Sequence, residues 1–316
     1  MIKYYSKIEG KLLELDKPDL HCWIHITPPF SHEELEEIAN QFEVPLDFFT
    51  DSLDIDERSR YDREDDIRHI ILNTPLLNHN HSDTNTYYVT VPIGIILIPD
   101  HVITITAFEN TIVDNFLKNK VKNFDPSDEK LFVLQLLELN VYAFLNCLKK
   151  LNLQRNIIEK ELLISTKNQQ IIELLKIEKS LVFFVNALSA MELLNMKIKR
   201  SDFLQLNGDE DKTDLFEDII IDSSQALQMA NIYANIHNST METYGSIIAN
   251  NVNAVMQRLT LVTIIIAVPT LVASIFGMNV DLYGLDKNPY ALPAILTGSF
   301  IFAFFLSWFF RKKRLF

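Results

Sequence analysis

The sequence predicts an α/β domain followed by a long helical stalk and two C-terminal transmembrane helices. Three observations support this fold class. Residues 1–126 hold most of the prolines and the β-branched runs, residues 127–207 contain neither proline nor glycine, and two long uncharged segments lie near the C-terminus. Turn-bounded β-branched runs favour strands, unbroken helical periodicity favours long helices, and uncharged runs of about 20 residues are typical of membrane spans.

The charge distribution divides the 316-residue chain into an acidic body and a basic end. Residues 1–257 contain 23 lysines and arginines against 40 aspartates and glutamates, whereas residues 258–316 contain six against two. An acidic body repels phosphates, so nucleic acid is excluded as a partner. The two cysteines, Cys22 and Cys147, both lie among apolar residues and imply no disulfide framework.

The first part, residues 1–126, is predicted to be a cytoplasmic α/β domain. Ser31 begins a short helix through a capping box with Glu34, and this helix closes before Pro45. Four segments combine apolar alternation with β-branched residues and are predicted strands: Leu20–Ile26, Ile67–Asn73, Tyr87–Ile98 and His101–Ala107.

The second part, residues 127–257, is predicted to be a cytoplasmic helical region. Its periodicity predicts two long antiparallel helices that turn near Ser165–Asn168. An acidic turn at Asn207–Asp214 follows, and a third helix is expected to run without a linker from about Thr213 to about Phe276. This third helix would form the stalk and continue into the membrane.

The third part, residues 258–316, is predicted to be a transmembrane domain with two helices, an outer loop and a basic cytoplasmic tail. Leu259–Val280 and Asn288–Phe310 carry no charge, and each is long enough to span about 30 Å of hydrocarbon. Four cations at positions 311–314 place the tail in the cytoplasm by the positive-inside rule. Two spans return the chain to its starting side, so a cell-membrane protein with both termini in the cytoplasm is expected.

A polar stripe runs along the predicted stalk and first span. At 100° per residue, seven side chains fall within an arc of about 120°: Glu242, Ser246, Asn253, Thr260, Thr263, Thr270 and Ser274. One interpretation is that serine and threonine bond the carbonyls of their own helix. The alignment favours a second interpretation, the lining of a water-filled pore. Because two spans cannot enclose a channel, a pore requires a homo-oligomer in the lipid bilayer.

The tripeptide Gly277-Met278-Asn279 ends the first predicted span. Its position before a short outer loop, a second span and a basic tail resembles that of the CorA family of magnesium transporters. The resemblance covers the whole chain and is most specific from Glu242 to Asn279. There, Asn253-x-x-Met256, Leu259-Thr260 and Pro269-Thr270 keep the family's spacing to the tripeptide.

The resemblance implies a CorA-like homopentameric funnel. Gly277, Met278 and Asn279 would form the selectivity filter, with Asn279 as the ring at the outer mouth. Thr270, Met256 and Asn253 would line the pore, and Leu259 would help to form an apolar constriction. Because Mg²⁺ gives up its water reluctantly, a ring of neutral amide oxygens that contacts the hydrated ion is a plausible first filter.

The resemblance also implies regulatory Mg²⁺ held between subunits by acidic residues. Counting back from Asn279 reaches Asp218 on the stalk, and Phe49-Thr-Asp-Ser-Leu resembles the family's other segment, which makes Asp51 the partner. The alternative is an acidic face that is merely solvated.

Passive Mg²⁺ influx, with Co²⁺ and Ni²⁺ as further ions, is the function that these features predict. No Walker loop, nucleophile elbow or dinucleotide fingerprint occurs in the sequence, so neither an enzyme nor an organic cofactor is expected. Two alternatives remain. A zinc transporter of the same fold is one, although that branch usually departs from the methionine found at Met278, and a membrane-tethered sensor or scaffold is the other.

Overall fold

The computed structural model describes residues 1–78, 85–164, 168–278 and 290–312. Its contacts divide the chain into two compact units, Met1–Asn238 and Ser239–Phe316. The division falls inside one long helix, 19 residues before the predicted membrane domain at residue 258. The three-part division expected from the sequence therefore stays a prediction.

A seven-stranded sheet organises the first unit. Its strands follow the order β2-β1-β3-β7-β6-β5-β4, with β3 and β7 parallel and all other neighbours antiparallel. Their bounds are β1 Ile2–Ile8, β2 Lys11–Leu15, β3 Trp23–Ile26, β4 Arg60–Glu64, β5 Ile67–Leu77, β6 Tyr88–Ile98 and β7 His101–Thr106.

The third strand begins later than the sequence predicts. Residues 20–22 were expected to belong to it, but the Cys22 amide donates to the Asp19 carbonyl at 3.2 Å and His21 has a φ of 60°. This turn prevents ladder pairing before Trp23.

Short helices cover one face of the sheet. They are α1 (His32–Gln41) and α2 (Leu46–Asp51), and a third short helix, α3 (Thr111–Leu117), follows β7. The capping box predicted at the start of α1 is confirmed, because Ser31 Oγ accepts from the Glu34 amide and the Glu34 carboxylate accepts from the Ser31 amide. The side chains of Ile24, Ile103 and Ile105 point into the core beneath α1 and α2.

Two long helices cover the other face. They are α4 (Glu129–Ile164) and α5 (Asn168–Ser201), and both contact β5. Contacts from Gln170 to Glu161 and from Asn140 to Met191 show that the helices run antiparallel, as predicted. Trp23 lies on this side of the sheet, where the rings of Phe116, Phe124 and Phe132 surround it.

The longest helix, α6, runs over 67 residues from Glu210 to Phe276. It begins three residues earlier than predicted because Asp209 Oδ1 caps it by accepting from the Lys212 amide at 3.1 Å. Its buried positions in the first unit recur every three, four or seven residues, which is the spacing of a helix packed along one stripe: Phe216, Ile219, Ser223, Ala226, Ala230 and His237.

The last helix, α7, runs from Ala291 to Lys312. Among the described residues, four helices are long and apolar enough to cross a membrane. The most apolar stretches of α4 and α5 are 56% and 44% buried, whereas those of α6 and α7 are 6% and 11% buried. The sheet covers part of α4 and α5, whereas the apolar stretches of α6 and α7 have little cover from the described residues.

Candidate functional site

The predicted polar stripe lies on one uninterrupted helix. All seven of its side chains, from Glu242 to Ser274, are solvent-exposed on α6, and so are Met256 and Leu259, which are 55% and 59% exposed. Leu261 is the one buried side chain between Leu259 and Phe276 and lies about 100° around the helix from Glu242, outside the polar arc. The role of these residues as a pore lining stays a prediction.

Four of the five hydroxyl groups of the stripe bond their own helix. Thr260, Thr263 and Thr270 each donate to the carbonyl four residues earlier at 2.9 Å. Ser246 does the same to the Glu242 carbonyl at 3.1 Å. These hydroxyls therefore need no water, and by themselves they are compatible with an apolar environment.

Two members of the stripe, Glu242 and Asn253, carry no hydroxyl group. Within the described part of the chain, the side chains of Glu242 and Asn253 form no hydrogen bond, and both are exposed. A carboxylate or an amide without a partner needs water or a neighbouring chain. Asn253 and Glu242 therefore give the stripe its polar character more than the threonines do.

The predicted filter tripeptide begins where α6 ends. The Gly277 amide donates to the carbonyls of Ala273 and Ser274 at 3.0 and 3.2 Å, and the Met278 amide donates to the Ile275 carbonyl. A Cβ added at Gly277 would lie 3.4 Å from the Ala273 carbonyl oxygen, which is an ordinary contact. The described part of this chain therefore does not require glycine at position 277. Asn279 lies outside the described residues.

The first predicted regulatory residue, Asp51, is held by an arginine of its own chain. Arg60 Nη2 lies 2.7 Å from Asp51 Oδ2, and the same guanidinium contacts Glu57 at 3.1 Å and also Asp62. The Asp51 side chain is 39% exposed, so it remains open to solvent on one side. A cation that binds Asp51 would have to compete with Arg60.

The second predicted regulatory residue, Asp218, lies exposed on α6 beside other acids. Burial, with the nearby charges of Asp222 and Asp218, raises the pKa of the half-buried Glu138 on α4. Sequence reasoning missed Glu138, although a lone acid within the apolar run that begins α4 was an available signal. In the described ranges, no group of three or more metal-ligating side chains is arranged to hold a metal ion.

Comparisons with known proteins give a consistent result. Residues 19–312 match the model of a family described as CorA-like Mg²⁺ transporter protein. The chain is 25% identical over 310 residues to the cobalt/magnesium transport protein CorA of Methanocaldococcus jannaschii, which covers 95% of each protein.

Solved structures agree with the fold. The complete structure of the CorA magnesium transporter from Methanocaldococcus jannaschii matches with a TM-score of 0.81 and 22% identity, over 98% of this chain and 97% of that one. The ZntB cytoplasmic domain from Vibrio parahaemolyticus matches with a TM-score of 0.62 and 10% identity, over 78% of this chain and 98% of that one. The predicted architecture of an α/β domain, a long stalk helix and a C-terminal helix is confirmed.

Proposed function

Because the chain belongs to the CorA-like family of Mg²⁺ transporters, we propose that it forms a passive channel in which the membrane potential drives Mg²⁺ into the cell. Co²⁺ and Ni²⁺ are further candidate ions. Moving two charges through 100 mV releases roughly 4.6 kcal/mol, which is enough for uptake without ATP. In this proposal α6 and α7 are the two spans, and both termini lie in the cytoplasm.

The exposed polar arc of α6 carries the proposal. An arc with an unpartnered carboxylate and an unpartnered amide, on a helix that continues into an apolar segment, suits a water-filled path better than a lipid-facing surface. One chain supplies one such arc, so the proposed pore needs a ring of chains. A homopentamer is the assembly that the family resemblance favours.

The selectivity step is assigned to Asn279. An amide ring can hydrogen-bond the water shell of Mg²⁺ without removing it, whereas a carboxylate ring would hold the ion more tightly and slow its release. Neutral Asn253 and the threonines would then let the hydrated ion pass along the arc.

Closure is assigned to Mg²⁺ bound between subunits. Asp218 is exposed on α6, and a cation that bridges it to Asp51 of the neighbouring subunit would offset the acidic charge around Glu138 and Asp222. The Arg60 guanidinium already offsets the charge of Asp51, so this carboxylate would be the weaker half of the site.

A matched pair of asparagines tests whether the arc is the ion path. Asn253 lies in the arc, whereas Asn251, also exposed on α6, lies about 200° away around the helix. We expect Asn253→Leu to lower Mg²⁺ flux into liposomes several-fold and Asn251→Leu to leave it near the wild-type value. Equal flux in the two variants, with both assembled as the wild type, would remove the arc from the ion path.

A further inference from the structure

A buried histidine lies in the first unit where an apolar side chain would be expected. His237 is fully buried on α6, and neither of its ring nitrogens has a hydrogen-bond partner among the described residues. The positive charge of Arg155 on α4 lowers the pKa of His237, and Arg155 is itself only 7% exposed. The other buried positions of this α6 stripe are apolar or small, so His237 is the exception within it.

The gap beside Arg155 is too small for a water molecule, and Asn152, Tyr233, Ile177 and Leu181 are among the residues that line it. Among the described residues, the Asn152 side-chain oxygen and the Arg155 Nη1 group also lack hydrogen-bond partners. Burying a polar group that lacks a hydrogen-bond partner costs free energy. These groups therefore reduce the stability of the packing of α6 around His237.

The charges around His237 oppose its protonation. On α4, Arg155 is the cation that acts on the imidazole, and Glu159 lies 3.1 Å from Arg155 Nε. On α5, whose Ile177 lines the gap beside Arg155, Lys176 pairs with Glu173 at 2.9 Å. Glu178 and Lys179, which follow Ile177, are half-buried and exposed, respectively. Burial first, and Arg155 second, lower the pKa of His237 to about 4.

His237 lies close to the boundary between the two compact units. It precedes Asn238, the last residue of the first unit, by one residue. Because α6 continues unbroken past this boundary, a change in its packing at His237 occurs on the same helix that carries the polar arc.

We propose that His237 and Arg155 form a proton-sensitive latch, which keeps this level of α6 packed against α4 and α5 at neutral pH and releases it on acidification. A released histidine takes up a proton with its ordinary pKa near 6.5, while the packed one does not until about pH 4. The released state therefore binds more protons between these values, and the packed state loses stability as the pH falls below about 6.5. These values predict a population of the released state about tenfold higher at pH 5.5 than at pH 7.5.

Thiol labelling of the full-length protein tests the latch without measuring transport. With Cys22 and Cys147 replaced by alanine, Ala230→Cys places a thiol at a fully buried position of α6, and Asn231→Cys places one at an exposed position beside it. The labelling rate of the buried thiol is divided by that of the exposed thiol, because both rates share the intrinsic pH dependence of the maleimide reaction. We expect this ratio to rise about tenfold from pH 7.5 to pH 5.5 and to stay constant in His237→Phe.

Two controls keep the result decisive. His32→Gln removes an exposed histidine on α1 and should leave the rise intact. If His237→Phe does not assemble as the wild type, His237→Met makes the same comparison, and Ala226→Cys is a second buried reporter. A constant ratio with His237 present, or an equal rise without it, would overturn the latch.

The effect on ion flux rests on the proposed function, and the labelling result does not. We expect Mg²⁺ flux in the wild type to change with internal pH over the same range and to lose that dependence in His237→Phe. A tenfold labelling change in a protein that carries no Mg²⁺ would support the latch and contradict the proposed function.

Discussion

Gly94 lies in the middle of β6. Because glycine has no side chain, Ser52, the residue that follows α2, can pack directly against the strand. The Ser52 hydroxyl donates to the Phe48 carbonyl at 2.6 Å and lies 2.9 Å from His69 Nε2, so it is fixed from two sides. A Cβ at Gly94 would overlap Ser52 and would lie 2.7 Å from Ile105 Cγ2. The serine and the sheet can approach only because position 94 is glycine.

We therefore expect Gly94→Ala to destabilise the protein. Overpacking at a site whose neighbours cannot move costs about 1–3 kcal/mol, with this position at the upper end because two hydrogen bonds hold Ser52 in place. The check is thermal unfolding of the purified protein in detergent. Gly245→Ala is the control, because nothing lies within 4 Å of the added Cβ on α6 and alanine favours a helix by about 0.5–1 kcal/mol. A Gly94→Ala protein as stable as the Gly245→Ala protein would contradict the packing described here.

At the scale of elements, the Ser180 hydroxyl joins α5 to the start of β6. Ser180 Oγ accepts from the amides of Tyr87 and Tyr88 at 3.0 and 2.9 Å and donates to the Lys176 carbonyl at 2.8 Å. Ser180 is fully buried. The two bonds from the tyrosine amides fix the start of β6 against α5, and the bond to Lys176 holds the hydroxyl on its own helix.

Ser180→Ala should lower the free energy of unfolding by about 1–3 kcal/mol, because it removes the acceptor of the buried Tyr88 amide. Chemical denaturation followed by circular dichroism measures the change. Ser189→Ala, at a half-buried position on the same helix, should have a much smaller effect. Similar losses in the two variants would show that Ser180 does not join these elements.

The elements that the sequence predicts well are those with strong local patterns. Strands β6 and β7 and helices α4 and α6 end within about three residues of their predicted bounds, because their apolar periodicity agrees with their burial. Strands β1, β2 and β4 were not predicted, since they lie towards the ends of the sheet, and β4, with the sequence RYDRE, carries no apolar alternation. Their pairing depends on tertiary neighbours that a local pattern does not contain.

Pro75 explains why the predicted length of β5 was too short. The prediction ended β5 at Asn73, before Pro75, but the strand continues to Leu77. Pairing with β4 stops at Ile71, so Pro75 lies where β5 has β6 as its only ladder neighbour. Proline is tolerated at such an edge because no ladder partner is lost on that side.

The candidate site was predictable in its positions but not in its contacts. The arc on α6 follows from helical spacing alone, and the structure leaves all seven of its side chains exposed. The contact between Arg60 and Asp51 and the proximity of Glu138 to Asp218 depend on how distant segments pack. Local sequence does not specify such packing.

At the scale of the whole molecule, the acidic residues are predicted to control closure. Asp218→Ala combined with Asp51→Ala should leave Mg²⁺ flux less inhibited by internal Mg²⁺, because the bridging carboxylates are gone. The measurement is flux into liposomes loaded with increasing Mg²⁺. Glu37→Ala combined with Glu210→Ala removes the same charge from other exposed positions and should keep the wild-type inhibition. Unchanged inhibition in the aspartate variant would exclude both residues from the sensor.

Uptake into liposomes is the most direct test of whether the protein conducts Mg²⁺. Purified protein is reconstituted with an internal Mg²⁺-sensitive dye, an inside-negative potential is imposed, and Zn²⁺ is added as a competitor. We expect Mg²⁺ entry that rises with the potential, falls as internal Mg²⁺ accumulates, and is lost in Asn279→Ala. An intact oligomer that admits no Mg²⁺, or that admits Zn²⁺ alone, would contradict it.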